Sequence, residues 1–316
     1  MKKIFINDLT PGAKVDDAFV LSEKNIAQKK DGNNFLHVAF SDKTGKIKGV
    51  VWNNVENMIK SIKSGDFVHV KGNVSEYKDS LQLVVKSMEY LSEDSVEPAD
   101  FLPVTCHDIE KMFDRIKQIT FSIETDYIKE LFEAFWNDQD FVNKFKIAPA
   151  AKRMHHAYIG GLLEHSLSMA ILVKKIAGHY GGINQDLLLA GAILHDIGKI
   201  REFDYKTKID YSDEGRMLNH IVIGIQMVHE KIGQIKNFPE EDALLLKHMV
   251  ASHHGIREFG SPEPPKTVEA VLLNYVDEID SKINGIRNFI SSADQNEAWT
   301  PYHNLLGRHF YIGKKG

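Results

Sequence analysis

Histidines and aspartates that could hold a metal ion occur at five separated places in the chain. Their order is His165, His195-Asp196, His220, His253-His254 and Asp277. The His195-Asp196 pair ends the apolar run 187–194 and is followed by Gly198 and Lys199. A helix that is apolar on all sides is buried, so this pair is predicted to point into the interior. A divalent cation can satisfy a buried imidazole and a buried carboxylate together.

Each of these residues also has a more ordinary interpretation. A histidine in an apolar helix, such as His165, is more often a hydrogen-bonded core residue than a metal ligand. Glu278 and Asp280, which flank Asp277, fit a solvated acidic face. Taken together, the five places favour a metal site over a set of unrelated core residues.

The order His, His-Asp, Asp with the sequence His-Asp-Ile-Gly-Lys at 195–199 resembles the HD-domain superfamily of metal-dependent phosphohydrolases, over roughly 150–290. The additional histidines resemble the members that hold two metals. This resemblance implies that one ion is held by His165, His195, Asp196 and Asp277, and the other by His220, His253 and His254 with Asp196 bridging. Asp277 is preferred over its acidic neighbours because it follows the apolar run 271–276 and matches the terminal aspartate of the family. Asn219 stands where we expect a glycine before His220.

The types of the predicted ligands limit which metal ions suit the site. Cys106 is the only cysteine, which excludes an internal disulfide and a thiolate cluster. Nitrogen and oxygen ligands suit manganese, iron, cobalt, nickel and catalytic zinc. The superfamily resemblance favours two Mn²⁺ ions, with Co²⁺, Fe²⁺ or Ni²⁺ as alternatives. Two ions about 3.5 to 4 Å apart can activate a water for in-line attack at phosphorus, and Asp196 would then serve catalysis.

Basic residues near the site are candidates for phosphate contacts. Lys199 is predicted to neutralise a phosphate oxygen as charge develops, although it also fits a solvated lysine that ends a helix. Arg153, His155 and His156, with Lys152, precede the first ligand and are predicted to grip substrate phosphates. Each of them fits an ordinary surface residue equally well.

Composition sets the protein class. The chain has 316 residues, of which 43% are hydrophobic, so it can form two domains with ordinary cores. No apolar stretch reaches the ~18 residues of a membrane helix, and the N-terminus is too polar for a signal peptide. We therefore expect a cytoplasmic protein without membrane contact. The net charge of −5 is uneven: residues 1–93 carry fourteen Lys against twelve Asp and Glu, which allows nucleic-acid contact there.

Residues 15–92 alternate between β-rich runs and turns. The order is three strands, a helix over 55–62 and two strands, which is the connectivity of the five-stranded OB barrel, a fold that binds oligonucleotides. Phe35, Trp52 and Tyr77 could stack on bases beside the lysines Lys46, Lys48, Lys71 and Lys78. Phe35 and Trp52 fit the barrel core equally well, so Tyr77 is the better stacking candidate.

The rest of the chain is predicted to be helical. An acidic, proline-containing stretch at 93–105 is interpreted as a linker. Apolar residues at spacings of three and four then predict helices at 109–121, 127–136, 162–176, 185–194, 218–232, 241–252 and 268–290. The predicted fold is an N-terminal five-stranded OB β-barrel (1–92) followed by an all-α HD-type domain (106–316).

An OB barrel ahead of a two-metal HD domain, with the segments 162–167 and 299–308, resembles the YhaM family of bacterial 3′→5′ exoribonucleases over nearly the whole chain. The resemblance implies Mn²⁺-dependent shortening of single-stranded RNA, and also of single-stranded DNA, to nucleoside 5′-monophosphates. Two alternatives stay open: an HD phosphohydrolase acting on a small nucleotide, and a non-catalytic RNA-binding adaptor. The sequence also leaves open whether the chain forms a homo-oligomer.

Overall fold

The computed structural model describes residues 2–28, 32, 34–52, 55, 62–77, 80–152, 156–294 and 297–313. The chain forms two compact units. Unit 1 contains Met1–Val104 and Asp204–Asp210, and unit 2 contains Thr105–Phe203 and Tyr211–Gly316. The predicted domain boundaries stay a prediction. Within the described ranges, no helix is both long enough and apolar enough to span a bilayer.

Unit 1 is a closed five-stranded barrel. Its strands are β1 (Lys14–Gln28), β2 (Asn34–Asp42), β3 (Gly45–Val51), β4 (Phe67–Tyr77) and β5 (Ser80–Tyr90), in the spatial order β1-β2-β3-β5-β4. The β3–β5 pair is parallel and the other neighbouring pairs are antiparallel. This connectivity is that of an OB fold. The helix predicted over 55–62 lies largely outside the described residues.

Alternation along β2 separates the barrel core from the outer face. Leu36, Val38 and Phe40 are buried and pack with side chains from the other strands. Successive side chains of a strand point to opposite faces, so Phe35 and His37 lie on the outside. The barrel therefore presents a mixed aromatic and polar surface on β2.

Unit 2 is mainly helical. Its helices are α1 (Ile109–Phe121), α2 (Asp126–Trp136), α3 (Gln139–Ile147), α4 (Gly161–Ala177), α5 (Gln185–Leu194), α6 (Lys199–Glu202), α7 (Asp213–Ile232), α8 (Glu240–Ser252) and α9 (Val268–Ser292). Phe203 and Tyr211 of this unit belong to two short paired strands, β6 (Phe203–Asp204) and β7 (Asp210–Tyr211). The seven predicted helices are present, with bounds that differ by a few residues. Helices α3 and α6 are short and were not predicted.

Helix α5 is the centre of unit 2. Every residue from Leu187 to Leu194 is buried, and the helix packs against α4, α8 and α9. Asn184 begins it by accepting a hydrogen bond from the Leu187 N–H through its side chain. Because all faces of α5 are covered, its C-terminal end carries His195 into the interior.

The turn after α5 requires glycine for close approach. A Cβ added to Gly198 would lie 2.0 Å from the carbonyl oxygen of His220 and 2.7 Å from the Gly224 nitrogen. The backbone of Gly198 has φ −60°, so the requirement is steric and not conformational. The missing side chain brings α7, and with it His220, against the turn that carries His195 and Asp196.

Asn219 interrupts α7. Its φ of 57° and ψ of 167° are non-helical, and its side-chain oxygen accepts hydrogen bonds from the N–H groups of Ile221 (3.0 Å) and Val222 (3.3 Å). The kink turns the following residue, His220, inward. Asn219 thus performs at this position the backbone role expected of glycine, and it also caps the next helical segment.

Candidate metal centre

The structure brings all seven predicted ligands together in unit 2. Side-chain atoms of His165, His195 and Asp277 lie within 4.8 Å of one another, as do those of His220, His253 and His254. Asp196 forms an equally tight set with His195 and His253, so it lies between the two groups. We call His165, His195 and Asp277 the inner group, and His220, His253 and His254 the outer group.

The five histidines share one orientation. In each of them Nδ1 faces a hydrogen-bond acceptor: Asp280 Oδ2 for His165 (2.8 Å), the Ala192 carbonyl for His195 (3.0 Å), Glu202 Oε1 for His220 (2.9 Å), the Val250 carbonyl for His253 (2.8 Å) and the Phe259 carbonyl for His254 (2.8 Å). A neutral imidazole has one donor and one acceptor nitrogen. In the neutral form of each ring, Nδ1 therefore carries the proton and Nε2 keeps a lone pair.

The Nε2 lone pairs of His220 and His253 face a carboxylate oxygen with no hydrogen-bond donor from the described part of the chain between them. Asp196 Oδ1 faces His253 Nε2 at 3.5 Å and His220 Nε2 at 3.7 Å. These three buried atoms have no hydrogen-bond partner among the described residues. Buried acceptors facing one another are unfavourable unless a cation lies between them. The residues present therefore fit a divalent cation, and histidines that donate Nδ1–H to fixed acceptors are typical of metal ligands.

The inner group has a strongly negative electrostatic environment. Burial opposes charge on His165, but hydrogen bonds to Asp277 and Asp280 raise its pKa to about 10. Burial likewise favours the neutral form of Asp277, yet the contact with His165 holds the pKa of Asp277 well below its usual value. The carboxylates that stabilise a protonated His165 would stabilise a metal cation in the same place, in competition with the proton.

The histidine pKa values of the outer group are shifted in the opposite direction from that of His165. Burial lowers the pKa values of His220, His253 and His254, that of His254 to about 4. The ammonium of Lys199 acts in the same direction on His220 and His254. These histidines are therefore neutral at physiological pH, which is the form that binds metals.

Two carboxylates that orient the ligands were missed in the sequence as functional residues. Glu202 is buried and holds His220. Asp280, interpreted above as a solvated acid, has a side chain only 10% exposed and accepts hydrogen bonds from His165 and Ser168. The signal for Asp280 was its position three residues after Asp277, because such residues share one helix face. Glu202 left no comparable signal.

A cavity of about 530 Å³ opens in front of the ligands. Its lining includes His220, His254 and Asp277, together with Lys152 and Lys199. Lys199 is 7% exposed, and its Nζ lies 2.5 Å from Asp196 Oδ2. A buried lysine beside the ligand set differs from the solvated helix-end lysine that the sequence also allowed.

The predicted substrate contacts occupy different places. Arg153 and His155 lie outside the described residues. His156 is buried, with Nδ1 2.9 Å from the Tyr158 hydroxyl and Nε2 3.1 Å from Asp280 Oδ2. It therefore lies behind His165, on the side of the Asp280 carboxylate, and its predicted contact with substrate stays a prediction.

The barrel carries Tyr77 at a groove of about 700 Å³ that also includes His37, Lys46 and Lys48. Tyr77 is 60% exposed. Phe35 stacks on Trp52 with ring centroids 4.8 Å apart, and Trp52 is 43% exposed. The core interpretation of Trp52 is therefore wrong, and Phe35 is half-buried on the outside of β2. Lys78 lies outside the described residues, and Lys71 Nζ is 3.7 Å from Asp16.

The chain is 32% identical over 301 residues to the 3′-5′ exoribonuclease YhaM of Geobacillus sp. (strain WCH70), an alignment that covers 95% of this chain and 92% of the relative. The chain belongs to the YhaM family. Family models agree with the two folds: the OB-fold nucleic acid binding domain matches residues 20–91 and the HD domain matches 162–282. The predicted fold class and the predicted family are thus confirmed. A model described as a putative helicase matches 95–181.

Solved structures resemble the barrel of this YhaM family member. The second OB-fold domain of replication protein A from Methanococcus maripaludis is 23% identical and covers 28% of this chain and 94% of its own, with a TM-score of 0.24. A mitochondrial single-stranded DNA binding protein, Rim1 of S. cerevisiae, is 17% identical and covers 26% of this chain and 97% of its own, with a TM-score of 0.23.

Proposed function

We propose that this chain is a divalent-metal-dependent 3′→5′ exoribonuclease that hydrolyses single-stranded RNA to nucleoside 5′-monophosphates. One observation carries the proposal: four imidazoles, of His165, His195, His220 and His253, face hydrogen-bond acceptors with Nδ1 and place Nε2 within 3.9 Å of Asp196 or Asp277. The similarity to an exoribonuclease over nearly the whole chain gives this site its reaction class.

The ligand arrangement supports two ions, which we propose to be Mn²⁺. The inner group with Asp196 would hold one ion, and the outer group with the same carboxylate would hold the other. Both groups combine imidazole and carboxylate without sulfur, which suits manganese and its neighbours. When bound, two such ions supply an activated water and neutralise charge on the phosphate in an in-line displacement.

Residues of the chain have their own parts in the proposed reaction. Lys199 contacts Asp196 and lines the cavity, so its ammonium would be available to pair with an oxygen of a phosphate held at the same site. Glu202 and Asp280 hold His220 and His165 in the tautomer that leaves Nε2 as the ligand atom.

The barrel is proposed to capture the single strand. Its groove combines Lys46 and Lys48, which suit a phosphate backbone, with the exposed ring of Tyr77. Aromatic rings in a basic groove bind single strands of any sequence by stacking and ionic contacts. We propose RNA as the main ligand and single-stranded DNA as a second one.

End-labelled substrates test the proposal. Metal-stripped protein supplied with Mn²⁺ should release labelled mononucleotide at once from RNA labelled at its 3′ end, and only late from RNA labelled at its 5′ end. Asp196→Ala should be inactive. A cyclic dinucleotide tests the alternative small-nucleotide activity, for which a cavity of this size is also large enough. Turnover of the dinucleotide with intact RNA would overturn the exoribonuclease assignment.

A further inference from the structure

We propose that Phe259 and Tyr211 form a stacking site for the base of the terminal nucleotide, at the mouth of the metal cavity. Both residues line that cavity, and both are outside the set of predicted ligands and phosphate contacts. This inference rests on the proposed function, because it names how the same cavity would hold the end of its substrate.

Phe259 is an exposed aromatic ring tied to a ligand. It ends a short 3-10 turn (Arg257–Phe259) and is 65% exposed. Its carbonyl accepts the Nδ1–H of His254 at 2.8 Å. A phenyl ring exposed to water loses hydrophobic stabilisation, and a base stacked on Phe259 would restore it at a place that lines the ligand cavity. The His254 contact fixes where such a ligand would lie relative to the outer group.

Tyr211 lines the same cavity, and its ring packs against a neighbouring aromatic residue. It is 41% exposed, and its ring packs on Phe203 with centroids 5.4 Å apart. Lys152 Nζ lies 5.1 Å from the centre of the Tyr211 ring. A cation at this distance from an aromatic ring is attracted to it. The Tyr211 edge of the cavity thus combines an aromatic surface with a positive charge.

The cavity lining has an apolar part and a polar part, which match the base and the phosphate of a nucleotide. The apolar part consists of the two rings with Leu305 and Leu306, and the polar part contains His220, His254, Asp277 and Lys199. A base would contact the apolar part while its phosphate contacts the polar part. Stacking accepts every base because every base has a π-face, so we infer a site that holds any terminal nucleotide and does not select its sequence.

Nucleoside monophosphate binding tests the stacking site apart from nuclease activity. We would titrate the Mn²⁺-loaded full-length protein with adenosine 5′-monophosphate and with ribose 5-phosphate, which lacks the base. The unsubstituted protein should bind the nucleotide roughly 5- to 150-fold more tightly, the range that corresponds to one stacked base. Phe259→Ala should remove most of this preference, and Phe259→Leu should remove it while keeping an apolar side chain of similar size.

Matched exposed rings serve as controls. Phe121 is also 65% exposed but does not line the cavity, and Tyr180 is 54% exposed. Phe121→Ala should therefore keep the preference, and Tyr180→Ala should keep it where Tyr211→Ala weakens it. Equal binding of the two probes by the unsubstituted protein, or an intact preference in Phe259→Ala, would overturn the inference. A stacking preference in a protein that does not degrade RNA would instead overturn only the proposed function.

Discussion

Glu202 and His220 are joined twice: one carboxylate oxygen, Oε1, accepts both the backbone N–H and the ring Nδ1–H of His220, each at 2.9 Å. The ring therefore cannot rotate without breaking a buried hydrogen bond. Glu202 is 4% exposed, so no bulk water can replace the carboxylate. The orientation of His220, a proposed metal ligand, thus depends on a residue outside the set of proposed ligands.

Removing this acceptor should weaken the outer group selectively. Glu202→Gln can present an N–H to the His220 ring and allow the other tautomer, so we expect metal affinity there to fall by roughly 10- to 100-fold. Competition with a fluorescent chelator would measure it. Glu230→Gln, an exposed position on α7, the helix that carries His220, should bind metal normally. Equal affinities for the two variants would contradict the role of Glu202.

Gly198→Ala should damage both folding and metal binding. The added Cβ would be 2.0 Å from the His220 carbonyl oxygen, so α7 must move away from the turn. Overpacking of this kind costs roughly 1 to 3 kcal/mol. Urea denaturation should show that loss of unfolding free energy, and elemental analysis should show reduced metal content. Gly178→Ala, where nothing lies within 4 Å of the new Cβ, should leave both unchanged or slightly improve stability.

Metal binding should release about one proton near neutral pH. A cation binds the neutral imidazole, whereas the raised pKa of His165, about 10, keeps this group protonated well above pH 7. Apparent affinity at the inner group should therefore rise as pH increases from 6 to 8.5, approaching about tenfold per pH unit. Calorimetry in buffers of different ionisation enthalpy would count the proton. Heats that do not depend on the buffer would contradict the expectation.

Asn219 offers a test of backbone strain. Its φ of 57° and ψ of 167° favour glycine. For other residues this backbone conformation lowers the free energy of unfolding by about 1 to 3 kcal/mol. Asn219→Gly relieves the strain but loses the cap to Ile221, so unfolding free energy should change little. Asn219→Ala keeps the strain and loses the cap, which should cost about 1 kcal/mol more.

Denaturation and metal content together would separate these variants of Asn219. Asn237 also has a positive φ, 60°, but is not next to a ligand. Asn237→Ala should therefore lower stability without changing metal content. Normal metal content in Asn219→Ala would show that the kink does not control the position of His220.

The barrel groove should determine the salt dependence of RNA binding. Each lysine that contacts a phosphate contributes about one unit to the slope of log affinity against log salt. The double variant Lys46→Ala, Lys48→Ala should thus lower the slope by up to about two, and Lys63→Ala, Lys86→Ala should not. Tyr77→Ala should weaken binding more than Tyr90→Ala, which removes a ring of similar exposure outside the groove. Identical slopes for the two lysine pairs would exclude the groove.

The sequence predicted features that depend on local signals. Helix α5 was predictable because Asn184 begins it and an unbroken apolar run follows. Trp52 was ambiguous since a tryptophan in a β-rich run fits either face of a strand, and only its register decides. Helix α3 was missed although Asp138 caps it through the Phe141 N–H, because nine residues give a weak periodic signal.

The partners of the ligands could not be predicted, because they depend on packing between distant elements. Glu202 and His220 meet only when α6 packs against α7 at Gly198. Asp280 shares a helix with Asp277, yet its contact with His165 requires α4 and α9 to be adjacent. The sequence indicates the residue types of the proposed ligands, whereas the orientation of their side chains follows from packing between helices in the folded protein.

The two ligand groups also differ in access from solvent. His220 and His254 of the outer group line the open cavity, and the inner group reaches it through Asp277, while His165 and His195 have essentially no exposed surface. If two ions bind as proposed, the outer one has two of its ligands at the cavity and the inner one has only Asp277 there, so the inner ion should leave more slowly. Chelators should then empty the protein in two phases, a fast one and a slow one limited by local opening. The inner ion would be fixed early in the lifetime of each molecule, and the outer one would follow the metal supply of its surroundings.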